Sequence, residues 1–269
     1  MKVIVFDTET SGLPDQNQIT DKLLLDPNLL CLWDALLPKW THILQLAYII
    51  YDTDANKVVK IYNKYVDIGA EVVINPNAFK IHHINHESIN HAPNKAPIKE
   101  VLEEFMKDFY ASGICVGHNV LFDRKMIIAE LIRNDFSIED ITSMMNNNLF
   151  RCTMNDTKTK CNIQIPVNYM SKSGKPISFF KVKSPKLLEA HKFFFGYEPR
   201  GDMLHDALTD VVVCLRIFMI HSFDIDIYFY DKLLEEYIVR FSPEYYLLPN
   251  VSFTLNEIVD PLTEDVEFM

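Results

Sequence analysis

Apolar positions along this chain follow two patterns. Short runs rich in β-branched and aromatic residues read as strands, and longer stretches with apolar residues three and four apart read as helices. The first run, Val3-Ile4-Val5-Phe6, leads straight into Asp7-Thr8-Glu9-Thr10-Ser11-Gly12. Ile43 to Asp52 and Val58 to Asp67 are strand-like and joined by Asp52-Thr53-Asp54-Ala55-Asn56, which predicts a hairpin. Pro76 to His83 predicts a short helix, and Pro97 to Ala111 a longer one with Val101, Leu102, Phe105 and Phe109 on one side. Ile114-Cys115-Val116 is another buried strand, followed by a helix through Ile132 and a last strand within Asn146 to Cys152. Leu187 to Phe195 and Ala207 to Ile220 are helical. This order predicts an α/β layer fold, a mixed five-stranded sheet flanked by helices.

Three stretches do not fit that frame. Residues 14–41 carry leucine clusters and Trp33, punctuated by Pro27 and Pro38, and predict one or two short helices packed on the body. Residues 151–186 are polar and lysine-rich, with Ser171-Lys172-Ser173-Gly174-Lys175-Pro176 as a mobile turn. Residues 221–269 form a C-terminal extension that ends acidic, with five acids and no base from Asn256 to Met269. The reading is one domain over 1–220, with 14–41 and 151–186 as insertions, followed by that extension.

Composition narrows the classes. A chain of 269 residues with 48% hydrophobic residues can bury a sizeable core. Seven glycines and no GxGxxG or GxxxxGK[ST] pattern argue against a glycine-rich nucleotide loop. Five cysteines at irregular spacing are no disulfide framework and suit reduced thiols in an intracellular, cytoplasmic protein, or a nuclear one if the source is eukaryotic or viral. With no apolar stretch near the ~18 residues of a membrane span and no signal peptide, no membrane partner is expected.

The net charge of −11 at first opposes a nucleic-acid partner, but its distribution matters more. Residues 151–186 hold eight bases, Lys181, Lys183 and Lys186 among them, against the single acid Asp156. That net of +7 leaves −18 for the rest of the chain. Tyr169, Phe179 and Phe180 are interleaved with the lysines, and aromatic faces can stack unpaired bases.

Candidate chemistry begins at the first strand. Side chains alternate along a strand, so Val3, Val5, Asp7 and Glu9 share a face. Two acids at the end of an apolar strand repel and resist burial unless a cation sits between them, and hard oxygen ligands suit Mg²⁺ or Mn²⁺. Asp123 falls in the first turn of its helix, where the dipole favours a carboxylate. His205 and Asp210 are five residues apart, about 140° on an ideal helix. They can face one site only if His205 lies in the loop before the helix and Asp210 rides on it.

Taken together, Asp7-Thr8-Glu9-Thr10-Ser11-Gly12-Leu13, Gly117-His118-Asn119-x-x-Phe122-Asp123 and His205-x-Ala207-x-x-Asp210 resemble the DEDD superfamily of 3′–5′ exonucleases, in the branch that uses a histidine. That branch includes polymerase proofreading subunits, Trex-like DNases and oligoribonuclease-like enzymes. Softer matches are Ile43-x-Gln45-Leu46-Ala47 and Asn77-Ala78 to Ile84. The sequence departs from the family in the long turn between Gly12 and Ile43, and in His83, where a glycine often follows the histidine.

The resemblance implies a ribonuclease H-like fold and two divalent cations about 4 Å apart at four carboxylates. Asp7 would bridge both ions, Glu9 and Asp210 complete the nucleophile-side ion, and Asp123 support the leaving-group ion. His205 would be general base. Thr10 and Leu13 would contact the terminal nucleotide, with Asn119 and Phe122 bracing the second acidic element. The substrate would be nucleic acid with a free 3′ end, DNA favoured, cut to nucleoside 5′-monophosphates. The alternatives are an RNA-directed exoribonuclease and a polymerase-associated accessory subunit. The acidic tail would dock a replication or repair protein.

Overall fold

The computed structural model describes residues 1–14, 25–170, 175–201 and 204–242. Its strands are β1 (Lys2–Thr10), β2 (Ile43–Asp52), β3 (Lys57–Asp67), β4 (Lys95–Pro97), β5 (Ile114–Gly117), β6 (Phe150–Cys152), β7 (Gln164–Met170) and β8 (Pro176–Val182). The principal helices are α1 (Pro76–His82), α2 (His86–His91), α3 (Ile98–Ala111), α4 (Val120–Arg133), α5 (Ile138–Met145), α6 (Leu187–Phe195), α7 (Ala207–Phe223) and α8 (Lys232–Phe241).

Six strands form one mixed sheet in the order β4-β3-β2-β1-β5-β6. The three antiparallel strands β1, β2 and β3 come from the hairpin pattern, and β5 and β6 add to the other side in parallel. The sixth strand corrects the five-strand expectation. β4 is three residues long, runs parallel to the end of β3 and finishes on Pro97. It is too short to show an alternating pattern, and proline is tolerated there because the strand is an edge. Pro97 thus caps α3, which begins at Ile98.

Alternation along β1 divides the core. Ile4 and Phe6 enter a cluster with Tyr48, Phe105 and Met126, on the side of α3 and α4. Val3 and Val5 enter the other, with Val211, Val212 and Leu215 of α7. A fully buried side chain of this kind contributes about 1.5–3 kcal/mol, so a one-residue slip of β1 would forfeit both layers. α7 is buried over most of its circumference because the sheet covers one side while α6 and α8 pack against it. Ile227, Leu234, Ile238 and Phe241 join this second cluster, so residues 225–241 extend the same core.

Trp33 and Trp40 are buried 5.2 Å apart in the first cluster, and Leu25, Leu30, Leu36 and Leu37 pack against it, which anchors the described part of the 14–41 segment to the core. The lysine-rich segment contains a separate antiparallel pair, β7 and β8. Its tip, 171–174, and the acidic tail, 243–269, lie outside the described residues. The described cysteines are all free, and no described helix is long and apolar enough to cross a membrane.

Candidate active site

The four acids meet at the C-terminal end of β1. Asp7 and Glu9 lie on its α7 side, continuing the face of Val3 and Val5. Asp210 rides on the first turn of α7, and His205 stands in the preceding loop with a left-handed backbone, φ 65°. A ring nitrogen of His205 and carboxylate oxygens of Glu9 and Asp210 all lie within 4.8 Å of one another. Asp123 arrives from the other layer on the first turn of α4, after a turn through Asn119 at φ 65°. Asparagine is among the few residues that tolerate that region.

Burial raises all four acids above the ordinary carboxylate range, and neighbouring carboxylates raise Asp7, Glu9 and Asp210 further. Asp7 is pushed far up, and it feels the charge of Asp123, Asp210 and Glu9. Glu9 rises to about 9, with Asp210 and Asp123 as its strongest charged neighbours. Asp210 rises to about 7. Asp123 also rises to about 7, burial outweighing the hydrogen bonds from Thr8 that hold it down. The charged neighbours that shift Asp7, Glu9 and Asp210 are all carboxylates. Asp210 Oδ1 is buried with no hydrogen-bond partner. Four carboxylates that repel one another, one of them with an orphaned oxygen, fit hard divalent cations. Mg²⁺ and Mn²⁺ both meet that description.

Two residues orient this set. Thr8 points to the opposite face from Asp7 and Glu9, and both its N–H and its Oγ1 donate to Asp123 Oδ1, at 3.1 and 2.7 Å. Sequence reasoning missed Thr8, although its place between the two acids on the alternate face was the available signal. Gln45 Nε2 donates to Asp206 Oδ1 at 2.7 Å, and its Oε1 accepts from Ala207 N–H at 3.3 Å. Asp206 caps α7 by accepting from Thr209 N–H. Gln45 therefore fixes the turn that carries His205.

Four histidines, 82, 83, 86 and 91, lie in and around α1 and α2. His82 is buried: its Nδ1 accepts from Ile84 N–H and its Nε2 donates to the Thr10 carbonyl at 3.1 Å. His83 ends α1 at φ 59°, where a glycine would be unstrained. Burial and the charge of His83 together lower the His205 pKa.

The remaining sequence candidates are less uniform. Thr10 is buried and donates to the Gly12 carbonyl, shaping the turn after Glu9. Leu13 is 76% exposed just beyond it. Phe122 packs against the first core cluster. Lys183 Nζ is held by the Glu189 carboxylate at 2.5 and 2.8 Å, and Lys186 N–H donates to the same group. Lys181 and Lys186 have exposed side chains.

His118 supplies a link that its motif did not announce. Its Nε2 donates to the Pro185 carbonyl at 3.1 Å, which leaves Nδ1 to accept from Thr153 Oγ1 at 2.9 Å. Burial pushes its pKa down from 6.5 to about 4, and His191 in the α6–α7 core behaves likewise. Between these values the unfolded chain binds more protons, so stability is lost as pH falls from about 6.5 to about 4. The melting temperature should drop over that interval. His118→Gln, which still donates but does not protonate, should show a shallower drop. An equal drop in wild type and variant would remove His118 from this role.

A mixed sheet flanked by helices gathers four acids at the end of β1, and the family match makes the chain a nuclease of the phosphodiester-hydrolase class. The chain belongs to the exonuclease family RNase_T, whose family model matches residues 4–218, and so to the DEDD-type 3′–5′ exonucleases. Among solved structures it resembles exonuclease I from Methylocaldum szegediense, at 18% identity and TM-score 0.52, over 90% of this chain and 46% of that one. E. coli exonuclease I in complex with a dT13 oligonucleotide matches at 16% identity and TM-score 0.53, over 84% of this chain and 41% of its own. The zinc-bound form of the E. coli enzyme with single-stranded DNA matches at 15% identity and TM-score 0.53, over 89% and 43%. This chain spans under half the length of each. No curated protein matches it by sequence.

Proposed function

We propose that this chain is a two-metal-ion 3′–5′ exonuclease that releases nucleoside 5′-monophosphates, with DNA the favoured substrate. The observation that carries the reading is the convergence of Glu9, His205 and Asp210 donor atoms within 4.8 Å, beside Asp7, in a chain of the exonuclease family. Asp7, Glu9, Asp123 and Asp210 would hold the cations. When bound, two divalent cations lower the pKa of attacking water and neutralise charge on the attacking and leaving oxygens.

The protein's own groups do the rest. His205, its pKa below the ordinary value, accepts the water's proton at the ring nitrogen facing Glu9 and Asp210. Thr8 keeps Asp123 aimed inward, and Gln45 keeps the His205 turn closed on the site. Leu13, exposed just past the turn that follows Glu9, would touch the terminal nucleotide. Asn119 and Phe122 set the turn that presents Asp123. The oligonucleotides bound by the E. coli relative are DNA, which supports the DNA preference.

The deciding experiment is digestion of matched DNA and RNA oligonucleotides, labelled at either end, with Mg²⁺ or Mn²⁺. Stepwise shortening from the 3′ end with release of 5′-monophosphates is expected, faster on DNA. Faster RNA cleavage would make this an exoribonuclease, and endonucleolytic products would overturn the reading.

The lysine-rich segment should grip the strand. Lys183 is committed to Glu189, so the informative variant is Lys181→Gln with Lys186→Gln. Each phosphate contact on a single strand contributes about 0.7 to the slope of log affinity against log salt. The pair should therefore flatten that slope by up to about 1.4. An unchanged slope, measured with Ca²⁺ to block cleavage, would make these lysines ordinary surface charge.

A further inference from the structure

Neither strand of the β7–β8 hairpin packs extensively on another described element. An isolated two-stranded hairpin is marginally stable in water, so large apolar side chains displayed on it call for a reason. Phe180 is 70% exposed, Tyr169 50% and Phe179 46%.

The register sorts these residues by face. The pairs Ile165↔Lys181, Val167↔Phe179 and Tyr169↔Ile177 share one side. That side is a continuous apolar strip with Lys181 at one end, and the Tyr169 and Phe179 rings meet edge to face at 6.2 Å. The other side carries Phe180 but is interrupted by Asn168 and Ser178. The strip is also fixed in place. Lys183 N–H donates to the Ile163 carbonyl at the hairpin root, and Lys183 Nζ is held by Glu189. His118 ties Pro185 to the turn that leads into Asp123.

We infer that this strip is a stacking platform for unpaired nucleotides upstream of the 3′ end, with Lys181 on the backbone, and that it selects single strands long enough to reach it. The inference rests on the exonuclease reading above. An occupant of opposite charge suits the +7 of residues 151–186, in a chain that is otherwise −18. Stacking needs free base faces, and a duplex offers them only at its end. The root contact through His118 aligns the platform with the catalytic turn, so a strand held on it is delivered to the site.

The test is binding of single strands about four and about sixteen nucleotides long, the range of site sizes for such surfaces, by fluorescence anisotropy in Ca²⁺. Phe179→Leu keeps the apolar bulk and removes the π face. It should weaken binding of the long strand about tenfold, and Tyr169→Leu with Phe179→Leu about a hundredfold. Phe179→Trp should bind as wild type, which also shows that the hairpin tolerates substitution. Phe180→Ala, on the other face, should change nothing, and the short strand should not sense any of these changes.

Equal affinity of wild type and Phe179→Leu for the long strand would overturn the proposal. So would an equal loss in Phe180→Ala, or the same sensitivity with blunt duplex. A wild-type protein that binds the long strand in this aromatic-dependent way, yet fails to shorten it in Mn²⁺, would sink the exonuclease reading and leave the platform standing.

Discussion

Asp7→Ala should abolish metal-dependent hydrolysis while leaving the metal-free protein more stable than wild type. Asp7 feels the charge of all three other acids and is pushed well above the ordinary carboxylate range, by burial first and by their charges second. Removing it takes away the group best placed to serve two cations together. It also relieves Glu9, Asp123 and Asp210 of their shared neighbour. Relief of one poorly compensated buried polar group is worth about 1–3 kcal/mol. At about 2–4 °C per kcal/mol for a chain of this size, the metal-free melting temperature should rise by several degrees. Mn²⁺ should stabilise wild type and not the variant, because a ligand that binds only the native state shifts melting by mass action. Near-wild-type turnover in Asp7→Ala at equal metal concentration would remove the metal-site assignment. A lower metal-free melting temperature would show that the acid is structural.

His205→Ala should lower turnover by roughly 10²- to 10⁴-fold, the usual worth of a positioned general base. Its ring nitrogen lies close enough to Glu9 and Asp210 to act on a water held between them, or to bind a cation itself. Calorimetry separates the two. A general base leaves Mn²⁺ affinity nearly unchanged in the variant, whereas a ligand's loss weakens it strongly. Weakened Mn²⁺ binding with turnover preserved would show that the proton-transfer role is wrong. Gln45→Ala gives a useful comparison, since Gln45 contacts no reacting group. It holds the Asp206 turn, so its loss should slow turnover less than His205→Ala does, and without weakening Mn²⁺ binding.

Much of the frame follows from local periodicity. Alternation along β1 puts Val3 and Val5 on one side and Ile4 and Phe6 on the other, and it carries Asp7 and Glu9 to the same face as the valines. The hairpin of β2 and β3 is written in the polar turn at 52–56. The loop position of His205 follows from helix geometry, because residues five apart diverge on a helix. Each of these depends only on neighbours a few residues away, and a repeating backbone turns such spacing into direction.

The tertiary structure decided the pairings between distant parts of the chain. Thr8 reaches Asp123 across 115 residues, and Gln45 reaches Asp206 across 161. Lys183 had only Asp156 as an acid in its own segment, yet Glu189 holds it once α6 folds back to the hairpin root. Nothing local to His82 names its partner: α1 packs along the end of β1 and gives its Nε2 the Thr10 carbonyl. β4 became a strand because β3 offered an open edge, not because three residues carry a pattern. The apolar strip of Tyr169 and Phe179 exists only through the cross-strand register of β7 and β8. Hydrogen bonds and ion pairs have short reach, so their partners are set by where chain closure brings them, and spacing along one segment holds no record of that.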